Sequence, residues 1–184
     1  MILTLKRAAT IVACSLVAVS AAHAQASAAQ TATTPVTARV FTPLTLTANE
    51  ALRFGNLYSP FAAKTIAWTD NAASGGRARF TVTGEGGAEM ALSITVPANI
   101  SSGANNIPVS DVELRHGTTD ADATGTVVAL NTATANTLNF TMGGAAASSQ
   151  SYFLRLRATA TPGASQTSGS YAGTISVSVN YTGA

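Results

Sequence analysis

The residues able to run chemistry are few and scattered. Beyond the first 24 residues the chain has one imidazole, His116, and no cysteine. A nucleophilic triad would combine His116 with Asp111, Asp120 or Asp122 and one of many serines, and no spacing groups them. Beside Gly117, His116 reads as a solvated loop side chain. One imidazole without a thiolate cannot fill a zinc cage. Asp120 and Asp122, in a Thr- and Gly-rich stretch, offer oxygens suited to calcium, but the rest of a calcium-loop pattern is missing and the stretch reads as a solvated loop. Glu85 and Glu89 have the side chains of a glycosidase pair, yet they flank a glycine turn with no aromatic platform and read as surface charges. Arg77, Arg79, Arg155 and Arg157 occupy alternate positions of two apolar-periodic runs. They would form a cationic stripe on one sheet face, suited to acidic glycans; the plainer reading is a wet face that discourages edge-to-edge aggregation. Trp68 and Phe80 read as core residues. The sequence therefore assigns no catalytic residue, metal ligand or cofactor site, and the expectation is a protein that is not an enzyme.

Composition narrows the setting. Lys6 and Arg7 precede an apolar run from Ala8 to Ala22, and small residues Ala22 and Ala24 flank His23, the pattern of a secretory signal peptide over residues 1–24. A membrane anchor would need about 20 apolar residues, more than this Ala-rich run supplies. Cys14 lies inside the run instead of at its end, unlike a lipoprotein cleavage box. The expectation is export to the periplasm, cell surface or extracellular space. Cleavage removes Lys6, Arg7, Cys14 and His23, so that of ten basic and eight acidic residues eight of each remain. A balanced charge gives nucleic acid nothing to bind. Without thiols, packing must stabilise the fold, and no later stretch is long enough for a direct membrane span.

The elements follow from a two-residue period. Residues 25–35 are polar and small and read as a flexible leader, followed by a single domain over residues 36–184. Val36, Ala38, Val40, Leu44, Leu46 and Ala48 alternate with polar residues, with Pro43 marking an edge or a bend. The alternation returns at Ile66 and Trp68, at Ala78, Phe80 and Val82, and from Met90 to Val96. It recurs at Val112 and Leu114, Val128 and Leu130, Leu138 to Met142, Tyr152 to Ala158, and Ile175 to Tyr181. Gly84, Gly86 and Gly87 predict a hairpin turn between two of these strands. Residues 97–108, 117–125, 143–150 and 161–170 predict loops. Short strands at this spacing, with no helical period, predict an all-β, immunoglobulin-like antiparallel sandwich.

The two ends of the domain carry a resemblance. The alternating segment 36–48, the Leu52-Arg53-Phe54-Gly55 motif and a last strand closing on Tyr181 resemble the pilus subunits of the chaperone-usher type. Across the mature chain, Leu44 to Thr47, Leu52 with Phe54 and Gly55, Phe80 to Gly84, Ile94 to Pro97, and Gly169, Tyr171 and Gly173 with the run to Tyr181 resemble a bacterial secreted family of unknown function, the DUF4402 family. The pilus resemblance implies that Val36, Ala38, Val40, Leu44 and Leu46 are donor-strand knobs. It also implies that Ile175, Val177, Val179 and Tyr181 line the acceptor groove. Pilus subunits often carry a disulfide, which is absent here, and Pro43 removes one backbone donor from the segment. Segment 36–48 equally suits completion of its own sandwich.

The functional expectation is a non-enzymatic, exported structural or adhesive surface protein that assembles by β-strand addition. Its partners would be itself, other surface subunits and a periplasmic chaperone. The alternative is a monomeric exported module that binds a glycan or a small ligand.

Overall fold

The computed structural model describes residues 31–58, 62–72 and 75–183. The expected signal peptide, residues 1–24, and residues 25–30 of the leader lie outside them. The chain divides into two units, Met1–Ala38 and Arg39–Ala184. In the first, residues 31–38 are exposed and without regular structure.

The second unit holds the strands β1 (Thr45–Glu50), β2 (Lys64–Thr65), β3 (Asn71–Ala72), β4 (Gly75–Gly76), β5 (Ala78–Glu85) and β6 (Glu89–Thr95). They are followed by β7 (Asn99–Ser102), β8 (Asn105–Gly117), β9 (Thr126–Leu130), β10 (Ala135–Thr141), β11 (Ser149–Ala160) and β12 (Ser176–Tyr181). A seven-stranded sheet runs β1-β5-β11-β8-β7, with β2 beside β11 and β9 beside β8; a three-stranded sheet runs β10-β6-β12; β3 and β4 form a small ribbon. Every ladder between these strands is antiparallel. The expected all-β sandwich is therefore the fold, and no helix among the described residues is long and apolar enough to cross a membrane.

Alternation decides which side chains meet. Ala78 and Val82 of β5, Leu114 of β8, and Tyr152, Leu154, Leu156 and Ala158 of β11 point inward and are buried. Met90, Leu92 and Ile94 of β6 complete the same core from the smaller sheet. β8 keeps its apolar residues inward through a bulge. Arg157 pairs with Glu113 while Thr159 pairs with Ser110, and the extra residue, Asp111, has φ 48°. The bulge lets Ile107 and Val109 face the core together with Val112 and Leu114.

Three expectations are corrected. Gly84, Gly86 and Gly87 do not close a hairpin: β5 pairs with β1 and β11, and β6 pairs with β10 and β12. The chain crosses from one sheet to the other because both edges of β5 are filled and its apolar face must meet that of β6. Gly84 sits at that crossing, where a Cβ would lie 2.7 Å from Met90 Cε and 2.9 Å from Tyr181 Oη. The stretch 97–108 is not a loop either. β7 pairs with the start of β8, Ile100 opposite Ile107, around a turn at Gly103. Ile66 and Trp68 do not form the expected strand either: the pairing with β11 is made by Lys64 and Thr65, and Trp68 lies in a turn.

Leu154 is fully buried at the centre of this core, so Leu154→Ala is expected to cost about 2–5 kcal/mol in urea unfolding. Val36→Ala, at a position 95% exposed, is expected to change stability by less than about 0.5 kcal/mol.

Candidate functional site

The two sheets leave a seam along one side. β1 is an edge of the larger sheet and pairs only with β5; β12 is an edge of the smaller sheet and pairs only with β6. The two edges lie on the same side of the core. A Cβ placed on Gly84 of β5 would lie 2.9 Å from Tyr181 Oη on β12 and 3.1 Å from Leu44 Cδ1 just before β1. Among the described residues no ladder joins them. Leu46, Val177 and Val179 line this side and are only half-buried against the core. Where β12 begins, the seam opens into a groove of about 1220 Å³ walled by Leu52, Phe54, Leu57, Ile107, Tyr171 and Ile175, among others. Its far wall is held by paired backbone bonds between Ser101 and Ala172, at 2.9 and 3.0 Å.

At the other end the seam is latched. Tyr181 Oη donates to the Thr42 carbonyl at 2.6 Å and accepts from the Glu85 amide at 2.9 Å. Its ring packs on Phe41, with centroids 4.9 Å apart, and Arg39 lies over the other aromatic partner, 4.5 Å from the Phe41 centroid. The Glu85 carboxylate accepts from Arg39 Nη2 at 2.7 Å, from the Thr42 amide at 2.8 Å and from the Ala147 amide at 3.3 Å. The Arg39 hydrogen bond, then the Thr42 amide, hold its carboxyl below the ordinary glutamate value against the opposing effect of burial. Glu85 is thus not the surface charge expected from its neighbours; it is 2% exposed.

The outward face of the larger sheet is equally unlike its expected wet face. Arg79, Arg155 and Arg115 stand in one row across β5, β11 and β8. Asp120 bonds both Arg79 and Arg155, Asp122 lies 2.8 Å from Arg77 Nη2 and 3.0 Å from Arg155 Nε, and Glu113 lies 2.8 Å from Arg157 Nη2. Arg155 is consequently 2% exposed. The loop read as solvated folds over the sheet because its carboxylates neutralise the arginine row. Trp68 is not core: it covers this face, with Arg115 and Arg157 stacked 4.4 and 4.8 Å from its centroid. Phe80 is half-buried against the core.

His116 is a strand residue of β8, not a loop residue. It points inward with Nδ1 2.8 Å from Tyr152 Oη, and burial lowers its pKa while raising that of Tyr152. Asp111 sits at the β8 bulge, accepting from Ser110 Oγ at 3.1 Å. Asp120 and Asp122 serve the arginines on the opposite face. Among the described residues no group of three His, Cys, Asp or Glu is placed to hold a metal ion.

A family comparison matches residues 44–181 to DUF4402, a domain of unknown function. The chain belongs to the DUF4402 family. Comparison with curated proteins finds no match, and comparison with solved structures finds none.

The DUF4402 span begins beside β1 and closes at the end of β12, so both edges of the seam belong to it. Leu44, Leu46, Ile175, Val177, Val179 and Tyr181 fall inside the span; Val36, Ala38 and Val40 fall before it. The structure divides the segment read as a donor strand. Leu46 pairs with Val82 in its own sheet and Leu44 packs on its own core. Ala38 is exposed, and Val36 and Val40 are 95% and 91% exposed. Pro43 marks the division. Glu85 and Thr42 were not legible as latch residues, since nothing local in the sequence announces a partner 43 positions away. The near-terminal tyrosine was the one visible signal.

The latch makes two predictions. Because the folded carboxyl of Glu85 is depressed, its stabilising contribution is present above the unfolded glutamate value, about 4.3, and is lost as pH falls through the folded value. Thermal unfolding followed by circular dichroism should therefore show an acid limb that Glu85→Gln flattens, with a lower midpoint at neutral pH. Tyr181→Phe, which strands the Thr42 carbonyl and the Glu85 amide, is expected to cost about 1–3 kcal/mol in denaturant unfolding.

Proposed function

We propose that the protein is a non-enzymatic, exported structural or adhesive surface subunit that joins its neighbours by adding a β-strand to the seam between β1 and β12. The observation that carries this reading is the pair of single-sided edges, one from each sheet, beside half-buried Leu46, Val177 and Val179 and the apolar groove at Ile175. An incoming strand would satisfy unpaired edge amides and carbonyls, and its alternate side chains would cover the half-buried residues and set the register. Val36, Ala38 and Val40 offer such an alternation, outside the domain's own ladders. A second copy of the chain or another surface subunit would be the neighbour, and a periplasmic chaperone would guard the seam until assembly.

A specific feature also favours the alternative of a monomeric exported binding module. The groove at the β12 end is of ligand-site size, and its wall carries Tyr171, whose hydroxyl receives a hydrogen bond from Gln166 Nε2 at 2.7 Å. A glycan or small ligand would find both apolar and polar contacts there.

Light scattering of residues 25–184 across concentration, before and after heating and slow cooling, separates the two. Strand addition predicts growth into species that resist SDS. Deleting residues 25–38, which spares Arg39 and β1, should abolish that growth while the thermal midpoint of the monomer shifts by no more than a few degrees. A monomer at every concentration would sink the assembly reading, and ligand screening at the groove would then test the other.

A further inference from the structure

We propose that the outward face of the larger sheet is a binding site for an acidic peptide segment, occupied in cis by residues 118–124 of the same chain. This is independent of how the seam is used. Arg77, Arg79 and Arg155 project from β5, or the residue before it, and from β11 on the side away from the core. Strand parity alone would leave them in water; Arg77 and Arg155 are buried and Arg79 is half-buried because the Asp120-Ala121-Asp122 stretch lies across them.

The attachment of that stretch is unusual for a structural cover. Among the described residues, the one backbone hydrogen bond of residues 118–124 is internal, from the Ala121 amide to the Thr119 carbonyl at 3.0 Å. Their bonds to the sheet are those of the two aspartates. At its two ends, on the other side of the sheet from the arginines, Thr118, Thr119 and Thr124 border an open space of about 320 Å³ beside Tyr152 and Thr141. Gly125 ends it at φ 112°, where a Cβ would lie 2.6 Å from the His116 carbonyl oxygen, so the chain that left β8 enters β9 by a turn that only glycine fits.

These facts make the cover displaceable. The aspartates are partly exposed and thus screened by salt. Lifting the segment returns three guanidinium groups to water, so no charge is stranded in the interior, and the inward apolar core is untouched. The site is a flat sheet face, which suits an extended chain over an enclosed small molecule. Its occupant already defines the chemistry: carboxylates two residues apart, each bridging two arginines. An external segment with the same Asp-x-Asp spacing replaces them one for one, with charge-assisted bonds to the same forks.

The test uses the full chain with Asp120→Asn and Asp122→Asn, which removes the competitor. The probe is a fluorescein-labelled peptide of residues 117–125, with a second peptide carrying Asn at both aspartates, followed by anisotropy over a range of salt. The double variant is expected to bind the acidic peptide at least about tenfold more tightly than the unaltered chain, and the Asn peptide not at all. Adding Arg79→Gln should reduce that binding about tenfold. Equal binding by variant and unaltered chain, or by the two peptides, overturns the proposal, and dextran sulfate competing as well as the peptide at equal charge overturns the peptide assignment. If the double variant fails to fold, nuclear magnetic resonance of the unaltered chain decides: excess acidic peptide at low salt should move the amide signals of residues 118–124 toward those of a free chain, and unchanged signals overturn the proposal.

Discussion

The face-to-face burial of β5, β11 and β8 against β6 is the constraint on which everything else rests. Val82, Leu114, Leu154 and Leu156 on one side and Met90, Leu92 and Ile94 on the other lose nearly all contact with water, and each such side chain contributes about 1.5–3 kcal/mol by leaving it. With no cysteine in this core, no covalent staple shares the task. The need to bring β5 and β6 together as facing layers explains the crossing at Gly84, and the need to keep β8 facing inward along its whole length explains the bulge at Asp111.

The same packing leaves two debts on the outside of the core. The smaller sheet has three strands and the larger seven, so three strands cannot cover the full inner face of the larger sheet. On one side the shortfall is the seam beside β1 and β12. Tyr181 and Glu85 close its lower end by tying Thr42 down, and the groove at Ile175 leaves its upper end open. A family span that contains both edges is consistent with a seam that belongs to the domain itself.

The second debt is electrostatic. Three arginines in one cross-strand row repel one another unless counter-charges approach. Glu50, Glu113 and the two aspartates of residues 118–124 supply those charges, and Trp68 adds a surface for Arg115 and Arg157. The result is an outer layer held by polar bonds over an inner layer held by apolar contact.

The sequence by itself determined the strand period, the class of fold and the face each residue takes, because side chains alternate by covalent geometry and need no partner to do so. Tyr152, Leu154 and Leu156 could be read as inward, and Arg155 and Arg157 as outward, from their positions alone. What covers an outward face is a different question. Arg155 and Glu85 are buried by segments 35 and 43 residues or more away in the chain, and no local pattern encodes such a meeting. The hairpin expected at Gly84 failed for the same reason: a glycine turn permits either a return to the same sheet or a passage to the other, and the choice lay with the edges already filled by β1 and β11. Only the tertiary structure decided those matters, since long-range pairing depends on which surfaces the rest of the chain leaves free.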